Sequence, residues 1–131
     1  MRRFAAVVCV LLAVPVIALA AAAKIPIAGT YTTTVAGKNP AALKGTWTIS
    51  IAPSGRYGIY KSGQRLITGS AKTIGARVTF VDQGGPAACR GAQAVGVYRW
   101  KLTAGLLTLT PLSEQCPGRR IVLSSRPLRR K

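Results

Sequence analysis

The sequence predicts an all-β chain closed into a small antiparallel up-and-down barrel of about eight strands, with a two-sheet sandwich as the alternative. Three observations carry this prediction. From Ile27 onward apolar residues recur at every second position, in stretches rich in Thr, Val, Ile, Tyr and Trp, and no long stretch has helical spacing. Pro53-Ser54-Gly55, Ser62-Gly63, Gly75 and Ala104-Gly105 separate these stretches. They supply the restricted or positive φ that joins sequential antiparallel neighbours. The alternation leaves one face of the sheet apolar, and with no helix in sight to cover it the sheet must close on itself or fold over.

The strands follow in order. Gly29 to Val35 is the first candidate, rich in Thr, and Gly45 to Ile51 alternates Trp47, Ile49 and Ile51 with Thr46, Thr48 and Ser50. Arg56 to Tyr60 turns Tyr57 and Ile59 to the apolar side. After Ser62-Gly63 come Arg65 to Gly69 and a short piece from Ala71 to Ile74; after Gly75, Arg77 to Asp82 turns Val78 and Phe80 inward. Val95 to Leu102 alternates Tyr98, Trp100 and Leu102 with Arg99 and Lys101, and Leu106 to Thr110 alternates Leu107 and Leu109 with Thr108 and Thr110. Arg119 to Ser124 reads as the last strand, with Ile121 and Leu123 inward and Arg120 and Ser124 outward.

Residues 1–23 read as an export signal. Arg2 and Arg3 precede an uncharged run from Phe4 to Ala23, and Ala18-Leu19-Ala20 or Ala21-Ala22-Ala23 offers a small-residue cleavage site. The alternative is a retained membrane anchor, and either way the remainder faces outward, secreted or in the cell envelope. Cys9 is read as filler within this leader. One domain is then expected over 24–131, ending in a mobile basic tail over 126–131 that Pro127 keeps from joining a strand. Cys89 and Cys116 form an even pair in an oxidising compartment, which predicts a disulfide. The alternative, a redox-active thiol pair, lacks a C-x-x-C setting.

Composition excludes much chemistry. The chain carries 19 Lys and Arg against 2 acidic residues and no His. Asp82 and Glu114 are the only side-chain carboxylates, so a Ser-His-Asp triad, a histidine-bearing zinc site and a calcium cage cannot be assembled. No enzyme, metal or cofactor is expected, and the two carboxylates are read as isolated counter-ions of an arginine-rich surface. Haem is disfavoured by the lack of His and of any Met beyond the first residue.

Gly45-Thr46-Trp47 resembles the Gly-x-Trp of lipocalins and other calycins. The aromatic strand Gly96 to Leu102, the hairpin into Leu106 to Pro111 and the following Cys116-Pro117-Gly118-Arg119-Arg120 resemble small exported lipocalin-like domains of bacteria. The Thr-Asp-x-x-Tyr turn of typical lipocalins is missing. The resemblance implies that Arg119 or Arg120 stacks on Trp47. It also implies a non-enzymatic carrier whose interior, lined by Trp47, Tyr57, Phe80, Tyr98 and Trp100, holds a small apolar ligand; the same aromatics would equally serve as plain core.

The charge suggests a second role, adhesion to anionic envelope polymers or lipid headgroups through Arg119, Arg120, Arg126, Arg129, Arg130 and Lys131. A third is inhibition of an acidic exported hydrolase by the loop from Gly84-Gly85-Pro86 to Cys89. Intracellular nucleic acid is not an expected partner, and the chain is expected to be a monomer.

Overall fold

The computed structural model describes residues 14–18 and 23–131. Arg2, Arg3, Cys9 and most of the expected leader lie outside the described residues. Eight strands form a closed barrel: β1 (Gly29–Val35), β2 (Gly45–Ile51), β3 (Arg56–Lys61), β4 (Gln64–Ile74), β5 (Arg77–Gly84), β6 (Val95–Thr103), β7 (Leu106–Glu114) and β8 (Leu128–Arg130). Each pairs antiparallel with the next, and β8 returns to β1 with Arg129 opposite Thr32 and Arg130 opposite Tyr31. Closure leaves no free sheet edge along most of the wall, as the short connections predict. The outer wall is polar, and among the described residues no helix is long and apolar enough to cross a membrane.

Three expectations need correction. The pieces from Arg65 and from Ala71 are one strand, because Ser70 continues the ladder between Arg56 and Val81. A bulge between Thr68 and Gly69 absorbs the irregularity. Gly69 makes it possible: a Cβ there would stand 2.1 Å from the Val81 carbonyl oxygen and 2.6 Å from the Tyr57 ring.

The predicted strand from Arg119 is a helix, α1 (Pro117–Ser124). Pro117 opens it, in the first-turn position where a missing N–H is harmless. Its buried residues are Arg119, Val122 and Leu123, a spacing of i, i+3, i+4 that marks one helical face. Ile121 and Leu123 alone mimic alternation; the adjacent Val122 breaks it.

Nor is the C-terminus a loose tail. Pro127 ends the turn after α1, and Leu128 is fully buried as β8 fills the gap between β7 and β1. Proline is compatible with the residue before a strand, since only its own N–H is lost.

The topology places the β2–β3, β4–β5 and β6–β7 turns at one end of the barrel and α1 with the longer connections at the other. The turn end is plugged by the segment before β1. Ile27 is fully buried there, the Ile25 N–H donates to the Pro53 carbonyl at 3.0 Å, and the Tyr31 hydroxyl donates to the Ile27 carbonyl at 2.9 Å. Through the middle runs an edge-to-face aromatic row, with Phe80 5.2 Å from Tyr57 and 5.8 Å from Tyr98 between ring centres. Leu128→Ala should therefore lower the unfolding free energy by about 2 to 5 kcal/mol in urea titration. Arg129→Ala, exposed one residue on, should stay within about 0.5 kcal/mol, whereas a mobile tail would make both variants silent.

Candidate functional site

At the α1 end the interior contains a charged cluster. Arg119 is 1% exposed, and its side chain and those of Asp82 and Glu114 are wholly inaccessible. Nη1 donates to Asp82 Oδ1 and to the Ala94 carbonyl, each at 2.8 Å. Nε donates to Glu114 Oε2 at 2.7 Å, and Nη2 donates to Glu114 Oε1 at 2.7 Å and to the Gln93 carbonyl at 2.9 Å. All five guanidinium N–H groups are thereby occupied.

The carboxylates are equally well supplied. Asp82 also accepts the Tyr57 hydroxyl and the Cys89 backbone N–H, and Glu114 accepts the Tyr98 hydroxyl and the Cys116 backbone N–H. Burial, then the neighbouring carboxylate, pushes each tyrosine hydroxyl far above its usual range, so both stay protonated donors. Burial alone would raise the Glu114 carboxyl, but hydrogen bonds from Arg119, Tyr98 and Cys116 outweigh it and hold the group below its ordinary value. Burial likewise opposes the Arg119 charge, and its two carboxylate partners overcome that, so Arg119 remains a cation.

Local sequence builds this cluster. Asp82 continues the inward parity of Val78 and Phe80 in β5. Glu114 faces Gly96, where a Cβ would lie 2.2 Å from Glu114 Oε2 and 2.7 Å from Arg119 Nη2, so only glycine lets the guanidinium through. Cys89 and Cys116 form the expected disulfide, with 6.1 Å between their Cα atoms. It ties the β5–β6 connection to the start of α1, so each half-cystine presents its N–H to one carboxylate. Asp82 and Glu114, expected as surface counter-ions, and Arg119, expected as a polyanion contact, are all internal, and both carboxylates pair with Arg119.

Beside the cluster lies a cavity of about 230 Å³. Trp47, Ile59 and Ile67 line it from the barrel wall, Leu43 and Val122 line it from the β1–β2 connection and α1, and the disulfide and Arg119 border it as well. Gly118 and Ala87 also border it. A Cβ on Gly118 would meet only Leu43, at 3.8 Å, so crowding does not require glycine there.

Of the five aromatics expected around a ligand, Trp47 borders this cavity, and its indole N–H donates to the Leu43 carbonyl at 2.7 Å. Tyr57, Phe80 and Tyr98 pack against one another in the middle of the barrel. Trp100 is half-buried at the turn end, its indole N–H donating to the Gly75 carbonyl at 3.0 Å. The cation over Trp47 is Lys61 of β3, 5.2 Å from the ring centre, rather than Arg119 or Arg120. Arg120, Arg126, Arg129, Arg130 and Lys131 are exposed, and Arg130 lies 5.5 Å from the Tyr31 ring centre while donating to the Ala28 carbonyl.

Two outcomes follow from the cluster. Arg119→Met leaves two carboxylates buried without their cation and should cost about 3 to 5 kcal/mol of unfolding free energy, with part recovered when Asp82→Asn and Glu114→Gln are added. The Glu114 contribution is complete above its unfolded value and disappears as pH falls through the lower folded one. The stability difference between the native protein and Glu114→Gln should thus be constant above about pH 5 and shrink below it. Comparison with protein-family models, with curated proteins and with solved structures finds no match, leaving the geometry as the ground for function.

Proposed function

We propose that this protein is an exported, non-enzymatic carrier of the lipocalin-like type, and that its ligand is a small uncharged apolar molecule held in the cavity beneath α1. The observation that carries this reading is the cavity itself, about 230 Å³ between Trp47 and the disulfide. An apolar cavity of about 150 Å³ takes up benzene, so there is room for one ring or two fused rings. The charge of Arg119 does not contradict an uncharged ligand. With its five N–H groups held by Asp82, Glu114 and two carbonyls, it has no donor left for a ligand carboxylate. The disulfide agrees with an oxidising, extracytoplasmic setting, as the expected leader does.

The chain has two tryptophans, so its indole N–H resonances form a two-signal reporter. Added naphthalene should shift the Trp47 signal saturably and leave Trp100 unmoved, while naphthoate at the same concentration should bind at least about tenfold more weakly because its charge would be buried without a partner. Gly118→Leu should fill the cavity and abolish the shift. An unmoved Trp47 signal, or one that still moves in Gly118→Leu, contradicts the reading.

A further inference from the structure

On the outer wall, away from both α1 and the C-terminal arginines, lies a polar groove of about 310 Å³. Its floor is a row of small residues crossing three strands, with Ser50 opposite Gly58 and Gly58 opposite Thr68. Arg56 stands two residues before Gly58 on the same outward face. Tyr60 stands two residues after it, paired with Arg65 of β4. The Tyr60 ring reaches over this floor: a Cβ on Gly58 would come within 2.9 Å of Tyr60 Cε2 and 3.1 Å of its hydroxyl. Gln83 of β5 also lines it.

We infer that this groove binds an acidic oligosaccharide. The Tyr60 ring, reaching over Gly58, offers aromatic surface to the C–H side of a sugar ring. Ser50, Thr68 and Gln83 supply hydroxyl and amide partners for its hydroxyl groups. The two arginines flank the ring from opposite sides. Arg65 lies one strand over from Tyr60, four residues along β3 from Arg56, so the two Cα positions are roughly 14 Å apart and reach separate anionic groups of an oligomer rather than clamping one. Charge complementarity is strong, because both side-chain carboxylates of the chain are held by Arg119 inside the barrel and no side-chain anion remains to pair with Arg56 or Arg65.

Titration calorimetry at low salt on the disulfide-intact protein tests this, with oligogalacturonate, a neutral malto-oligosaccharide of equal length and oligothymidylate of equal charge as probes. Oligogalacturonate should bind, and added salt should weaken it. Arg56→Ala and Arg65→Ala should each weaken it roughly tenfold. Tyr60→Ala should weaken it severalfold, and so should Gly58→Ala, whose new methyl lifts the ring while both arginines stay. Arg77→Ala, which removes the same charge elsewhere on the wall, should change affinity less than twofold. The proposal is overturned if oligogalacturonate does not bind, or if Arg77→Ala weakens it as much as Arg56→Ala. It is also overturned if Tyr60→Ala has no effect, or if oligothymidylate binds as tightly through the same residues.

Discussion

The fold is organised around one buried cation. Arg119, carried by α1, joins Asp82 of β5, Glu114 of β7 and the carbonyls just before β6, while Tyr57 of β3 and Tyr98 of β6 add their hydroxyls to the two carboxylates. Removing ions from water carries a penalty of several kcal/mol each, and it is met only where every donor and acceptor has a partner. Here each does. The cluster has one positive and two negative charges, and each carboxylate is further held by a tyrosine hydroxyl and the backbone N–H of a half-cystine. That requirement fixes the position of α1 across the barrel end, and the disulfide anchors it there covalently.

A consequence appears on the outside. Because Asp82 and Glu114 are both used internally, the outer wall has cations and no side-chain anions to offset them. Arg77 stands directly opposite Arg99 across β5 and β6, a like-charge pair that destabilises a sheet. The repulsion must be balanced by the core and the cystine, or by anions from the medium. A surface of this kind gains stability from anionic company, which links the location of two internal carboxylates to the chemistry the exterior can bind.

Much of the barrel is legible in the sequence because alternation and turn chemistry agree. Strands β1 and β2 begin and end where the pattern places them, and the cystine follows from an even cysteine pair. The internal position of Asp82 was also readable, since parity carries Val78 and Phe80 inward and Asp82 comes next. Glu114 was not. A bulge between Val97 and Tyr98 shifts the register of β7 so that Leu112 is skipped, and only this shift brings Glu114 inside, opposite Gly96. Arg119 was hidden by the general tendency of arginine to lie outside, and by the near-alternation of the six residues that begin with it. The clue available was Pro117 immediately after a cysteine, a helix start rather than a strand start.

The same residues explain why the two barrel ends differ. At the turn end Ile25 and Ile27 drive into the opening and leave it closed. At the α1 end the cavity is bounded partly by Gly118 and Ala87, which leave unfilled the volume that larger apolar side chains would occupy. Larger apolar side chains would bury more surface here, so a pocket retained beside small residues calls for a reason. Backbone strain does not supply one, because Gly118 sits within the first turn of an ordinary helix with no left-handed φ. Crowding does not either, since an added Cβ would meet Leu43 at ordinary contact distance. Glycine within a helix is disfavoured relative to alanine by up to about 1 kcal/mol. What the small side chains preserve is therefore space, between an arginine that cannot move without abandoning five hydrogen bonds and a cystine whose backbone N–H groups hold that arginine's two carboxylate partners.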